Sequence, residues 1–331
     1  MLGDDLVVVT GGGGFIGGHL IADLRRRGAR VRAVDIKPLD EWWQRFADVE
    51  NVRLDLRERE ACAAAARGAR QVFNLAADMG GMGFIETHRA ECSLSVLINT
   101  HMLLAARDQG VERYFFASSA CVYAAEKQSV AAVTPLRESD AYPAQPEDGY
   151  GWEKLFSERL CRHFTEDFGL ATRVARLHNV YGPLSTYDGG REKAPAAICR
   201  KVVIAAMRGE RDIEIWGDGE QTRSFMFIDD GVEGIRRLMD GDVSTPMNVG
   251  SAELVSINDL VDIVEEIAGV RLRRRYHLDA PVGVRGRSSD NTLIRKELGW
   301  APEIPLAEGM EQTYRWIHDR IHACERARVT A

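Results

Sequence analysis

"LVVVTGGGGFIGGHLIADLRRRG", residues 6–28, decides the fold. Leu6 to Thr10 is a short β-branched run of the kind used by a parallel strand buried on both faces. It breaks into four glycines, and the helical spacing of Phe15, Ile16, Leu20 and Leu24 follows at once, stopping at Gly28. Gly11, Gly14 and Gly17 fit G-x-x-G-x-x-G, while Gly12, Gly14 and Gly17 fit G-x-G-x-x-G. Either spacing lets backbone approach a pyrophosphate, toward which the next helix turns its free N–H groups and positive dipole end. Asp35 closes the next predicted strand, "RVRAVD", where a ribose-binding carboxylate belongs. A carboxylate accepts from a free 2′-hydroxyl and repels a 2′-phosphate, so NAD is the expected cofactor. Phe15, Ile16, Leu56 and Ala76 are expected in the same cleft. Asp55, ending a third strand read in "VRLDL", is expected on the adenine side.

The strand–helix rhythm continues outward from this unit through residue 180. "QVFNLAA" and "RYFFASSA" read as strands, and "SVLINTHMLLAARDQG" as a helix. Such alternation predicts an α/β fold with a doubly wound parallel Rossmann sheet. Beyond "NVYGP" the rhythm loosens. Residues 1–180 are therefore expected to form the NAD-binding domain, with 225–250 returning to it. Residues 181–224 and 251–331 are expected to form a smaller, interleaved C-terminal substrate domain.

The chain has 331 residues with ordinary globular composition, enough for about two domains. A net charge of −7 argues against a generic nucleic-acid or anionic-membrane binder. The six cysteines are scattered, which predicts reduced thiols and no disulfide framework or metal site. The acidic start "MLGDD" does not resemble a signal peptide, and no apolar run is long enough for a membrane span. A cytoplasmic protein is expected. "RLRRRY" (271–276), the one dense basic run, reads as a solvated strand.

"YGWEK" places Tyr150 and Lys154 one helical turn apart, on one face. A tyrosine, with an ordinary pKa near 10, serves as a base only if that value is lowered. A lysine cation and an oxidised nicotinamide ring both act in that direction. Ser119, at the end of "FFASSA", can hold the reacting hydroxyl. "FNLAADMGGMGFIE" (73–86) poses a different question, because no regular element wants Gly80, Gly81 and Gly83 so close together. Its place after a strand, at the crevice of such a sheet, makes it a substrate loop in which glycines let a ligand ring lie against backbone.

"TGGGGFIGG", "SSACVY", "YGWEK" and "RLHNVYGP" together resemble the extended short-chain dehydrogenase/reductase family over essentially the whole chain. The resemblance implies NAD in the first domain, a nucleotide-sugar in the second, and oxidation of a sugar hydroxyl by Ser119, Tyr150 and Lys154. "NLAADMGGMGFIE", "GGREKAPAAICRK", "WGDGEQTRSFMFID" and "GVRGRSSDN" narrow it to the GDP-mannose 3,5-epimerase branch. That branch implies a GDP-sugar substrate, with transient oxidation at C4 acidifying the hydrogens on C3 and C5. It departs at Glu86, usually glutamine, and at Ala124, usually proline; Glu86 adds a carboxylate near the substrate loop.

By this resemblance Cys121 is one proton-transfer group and Lys193 the other, on opposite faces of the sugar. Cys121, two residues past Ser119, is expected on the same strand end and face. From residue chemistry alone Cys121 could equally be a small buried core residue, and Lys193 a surface lysine in a flexible loop. Arg223 and Arg287, with Arg285 as a third candidate, match positions that clamp the diphosphate, and Asn179 matches an asparagine near it. Gly80, Gly81, Met82, Glu192, Ala194, Lys201, Gln221 and Thr222 complete the expected substrate set. A 4,6-dehydratase, a 4-epimerase and a catalytically silent NAD-binding module remain as alternatives, although dehydratases carry Asp and Glu where Ala120 and Cys121 stand. Helices near 94–108 and 151–167 are where the family builds a four-helix interface, so a homodimer is expected.

Overall fold

The computed structural model describes residues 5–147 and 149–330, with side chains through residue 327. β1 (Leu6–Thr10) runs directly into α1 (Phe15–Arg26), followed by β2 (Arg30–Asp35) and β3 (Glu50–Arg53). α2 (Arg59–Ala66), β4 (Ala69–Asn74), a short α3 (Met82–Thr87), α4 (Arg89–Asp108) and β5 (Arg113–Ser119) come next. α5 (Tyr150–Phe168), β6 (Ala171–Leu177) and β7 (Val180–Tyr181) complete the first half.

These strands build a seven-stranded parallel sheet in the order β11-β6-β5-β4-β1-β2-β3, its first member β11 (Met247–Val249) arriving late in the chain. The apolar run of β1 is fully buried at Val7, Val8 and Val9. Each such side chain contributes about 1.5–3 kcal/mol by leaving water. Strand order reverses between β1 and β4, so a crevice opens at their carboxyl ends, beside the glycine turn. Thr10 fixes that crevice. Its hydroxyl donates to Asn74 Oδ1 at 2.7 Å and accepts from the amides of Leu75 and Ala76 at 3.1 and 3.2 Å.

The rest of the chain adds α6 (Ala194–Arg208), β8 (Asp212–Trp216), β9 (Thr222–Ser224), β10 (Met226–Phe227) and α7 (Ile228–Asp240). After β11 come β12 (Leu254–Ser256), α8 (Ile257–Ala268), β13 (Arg273–His277), β14 (Gly286–Arg287), α9 (Thr292–Leu298) and α10 (Leu306–Thr330). α7 packs against α1 and β6 before β11 joins the large sheet. The other segments form small sheets, β12-β9-β14 and β13-β8, beside α6, α8 and α10. The basic run forms β13, where Arg273 and Arg275 pair with Asp212 and Arg274 with Asp262. Among the described residues no helix is long and apolar enough to cross a membrane. Five of the six free cysteines are buried, and Cys324 is exposed.

Candidate active site

The glycine turn is built for close approach. Gly11 has φ +69°, the Gly14 amide donates to Gly11 O at 3.0 Å, and a methyl group at Gly17 would run into that same carbonyl. Asp35 closes the turn from β2. Its Oδ2 accepts from the Gly13 amide and its Oδ1 from the Lys37 amide, both at 3.0 Å. Gly11, Gly14, Phe15, Ile16, Gly17, Asp35, Asp55, Leu56, Ala76, Tyr150 and Lys154 all line one cleft of about 580 Å³. One detail differs from the sequence reading. β3 ends at Arg53, so Asp55 lies beyond the strand, paired with Arg57 at 2.6 Å, which holds its carboxyl below the usual range.

Ser119 ends β5 and Tyr150 begins α5, which brings the serine hydroxyl into hydrogen-bonding contact with the phenol. The Lys154 ammonium lies 5.4 Å from the centre of the Tyr150 ring and 4.7 Å from that of Phe116. It also sits 3.4 Å from the buried carboxylate of Glu153, a residue the sequence reading passed over. The expected lowering of the phenol pKa is absent in the protein alone. Burial pushes Tyr150 well above its ordinary value, the neighbouring Cys121 and Glu153 charges add to this, and only the Ser119 hydrogen bond opposes it.

Cys121 is not on the strand. Residues Ala120–Val122 form a single 3-10 turn in which the Ser119 hydroxyl accepts the Cys121 amide at 3.2 Å. The alternation of a strand therefore does not set its direction; the turn does. The thiol is buried beside Tyr150, Phe84, Ile85 and Cys92. Lys193 stands at the start of α6, lines the cleft and feels the charge of Cys121, while burial lowers its pKa. Its side chain is half-buried; it is not an open surface lysine.

The chain matches the NAD dependent epimerase/dehydratase family over residues 7–250. It belongs to that family. The chain is 48% identical to GDP-mannose 3,5-epimerase 1 of Oryza sativa subsp. japonica over 316 residues, covering 95% of this chain and 82% of that protein. Among solved structures it is similar to a UDP-glucose 4-epimerase of Thermotoga maritima with UDP-glucose, at TM-score 0.86 and 25% identity, covering 96% of this chain and 99% of that one. It is also similar to MoeE5 in complex with UDP-glucose and NAD, at TM-score 0.79 and 31% identity, covering 96% of this chain and 100% of that one. NAD is the cofactor of this epimerase/dehydratase chain. The donor set fits it: bare backbone at Gly11 and Gly17 for the pyrophosphate, and the Asp35 carboxylate for a ribose.

In this family member the glycine-rich loop differs from its sequence reading. Met82 already starts α3, with Gly81 at its N-terminal cap. A Cβ on Gly81 would stand 2.5 Å from the Glu192 carbonyl oxygen, and one on Gly80 would stand 2.9 Å from Phe84 Cβ. Neither has a positive φ. Both glycines therefore make room for neighbouring chain, and Gly80 also lines the cleft. Arg191, also absent from the sequence reading, clasps the loop by donating to Asp78 at 2.7 Å and lying over the Phe84 ring at 3.8 Å.

The expected diphosphate residues divide. Arg223 donates to the carbonyls of Thr222, Val282 and Val284, and no carboxylate among the described residues pairs with it. Burial lowers its pKa to about 10, against the pull of the Cys121 charge. It is a half-buried cation that feels the thiol. Arg285 instead pairs with Asp218 at 2.7 Å outside the cleft, and Arg287 is turned toward Cys121. Asn179 lines the cleft at φ 37° and donates to Ser224 O. Gln221 donates to Trp216 O, Thr222 to Ala131 O and Lys201 to Glu214 O. Glu192 pairs with Arg200, and Ala194 is the first residue of α6. Met82 lies against Gly283.

Proposed function

We propose that this chain epimerises GDP-mannose at C3 and C5, giving GDP-L-galactose, GDP-L-gulose or both. The observation that carries the reading is that Lys193 lines the same cleft as Ser119, Tyr150 and Lys154, while Cys121 packs against Tyr150 and lies close enough to interact electrostatically with Lys193. A simple 4-epimerase needs no such second pair.

Tyr150 removes the proton from the C4 hydroxyl while Ser119 holds that oxygen. NAD held by the glycine turn and Asp35 would supply the hydride acceptor and donor for C4, and its oxidised ring would supply the positive charge that the phenol lacks in the protein alone. With C4 a ketone, the hydrogens on C3 and C5 become acidic, because the electron pair left behind is shared with the carbonyl oxygen. Cys121 takes a proton from one face of the ring, and Lys193 returns one to the other. Burial, which favours the neutral amine, lets Lys193 give up its proton more readily than an exposed lysine would. Arg223 is a half-buried cation available to the diphosphate.

The protein is further proposed to act as a homodimer. Leu94 and Leu97 on α4, with Trp152 and Phe156 on α5, are each more than a third exposed, and the two helices pack side by side. They form an apolar face that a second copy would cover. Incubation with GDP-mannose and chromatographic separation of the GDP-hexoses tests the function. Products inverted at C5 are expected; inversion at C4 alone, or a 4-keto-6-deoxy product, would overturn it.

A further inference from the structure

Arg287 is 4% exposed, and its fork is divided among partners from separate stretches of chain. Nε donates to Gln128 Oε1 at 2.6 Å, Nη1 donates to Cys121 Sγ at 3.7 Å, and Nη2 forms an ion pair with Glu147. Gln128 has little freedom to turn. Its Nε2 donates to the carbonyls of Tyr123 and Ala124, both at 3.2 Å, which leaves Oε1 on the arginine. Glu147 is anchored to the same turn, its amide donating to Cys121 O at 3.0 Å. A guanidinium is a rigid planar fork, so two anchored acceptors fix where its third donor points. That donor points at the sulfur.

We propose that Gln128 and Glu147 are positioning residues that aim Arg287 at the Cys121 sulfur while it moves a sugar proton. The inference rests on Cys121 being a proton-transfer group. When sulfur takes the proton, the C–H bond breaks, the S–H bond forms, and the electron pair stays on the sugar as an enolate with the C4 carbonyl. Arg287 keeps all its protons throughout. Its hydrogen bond to an anionic sulfur is charge-assisted and stronger than one to the protonated thiol, so it favours the form that acts as base. Freed of either anchor, the fork can rotate, and the sulfur loses both the contact and its place.

The test uses holoenzyme variants Glu147→Gln and Gln128→Met, the second covering a failure of the first to fold. Three quantities are measured: kcat and KM with GDP-mannose, and, without sugar, the rate at which iodoacetamide alkylates Cys121, followed by peptide mapping. The expected result is kcat lower by about 10- to 100-fold, the loss typical of a misplaced reacting group, with KM nearly unchanged and alkylation severalfold slower. A raised KM with kcat retained would overturn the proposal, because Arg287 would then serve the diphosphate. Unchanged kcat and alkylation would overturn it too. Slower alkylation with unchanged kcat would keep the contact but overturn the catalytic role of Cys121 beneath it, so the two failures are told apart.

Discussion

The Gly81 amide donates to the carbonyl of Arg191 at 3.1 Å. This bond ties the loop that follows β4 to the segment that delivers Lys193 into the cleft, two residues later. Two parts of the site that are more than a hundred residues apart in sequence are thereby set as one surface.

Gly81→Ala tests that tie. The added methyl would stand 2.5 Å from the Glu192 carbonyl oxygen, so the segment before α6 must shift and carry Lys193 with it. Epimerisation is expected to fall at least tenfold, with misplacement by about 1 Å costing up to about a hundredfold. NAD content and transient NADH absorbance with GDP-mannose should persist. Retained wild-type turnover would mean that Lys193 is not held by this contact.

Tyr150→Phe removes the hydroxyl proposed to take the C4 proton while leaving the ring in its packed place beside Phe84 and Cys121. Transient NADH absorbance in a single turnover should disappear, and with it all exchange of sugar hydrogens with solvent, while NAD stays bound. Exchange at the wild-type rate would remove the phenol from the mechanism.

How much of this was legible in the sequence depends on the kind of contact. The cradle could be read because Gly11, Gly14, Gly17 and Asp35 act locally, within one strand–turn–helix unit. The role of Gly81 could not, because it makes room for residues 191–192, and nothing in a linear sequence says which distant chain will press against a loop. Cys121 was placed near Ser119 for an incomplete reason, since a 3-10 turn breaks the strand alternation. Gln128 and Glu147 carry no motif. They matter only because the fold brings β14 and Arg287 between them. The high pKa of Tyr150 likewise follows from burial, which a motif does not report.

His178 gives the expected pH dependence of stability. It is fully buried, with Nε2 paired to Asn248 Oδ1 at 3.0 Å, and burial lowers its pKa from 6.5 to about 4. Between those values the unfolded chain binds a proton that the native chain refuses, so stability falls as pH drops from 6.5 toward 4. The loss from this residue is at most about 3 kcal/mol. Thermal unfolding of His178→Gln should show a shallower acid slope than the parent across that window. An identical slope would contradict the assignment.

Trp152→Asp combined with Phe156→Asp places charge on an exposed apolar face while touching nothing in the cleft; the two residues are 51% and 54% exposed. Sedimentation at micromolar concentration should show a dimer for the parent and a monomer for the variant. A parent that sediments as a monomer would remove the proposed interface.

The central claim is that Cys121 moves a proton on the oxidised sugar, and it is met most directly by GDP-mannose turnover in deuterium oxide followed by NMR, with the parent beside Cys121→Ala. The parent should place deuterium at C5 and at C3 of the products. The variant should still give transient NADH absorbance but lose turnover by about two to four orders of magnitude, the range for a positioned acid–base group. Full epimerisation and full deuterium incorporation in Cys121→Ala would reduce the thiol to a packing residue and contradict the mechanism.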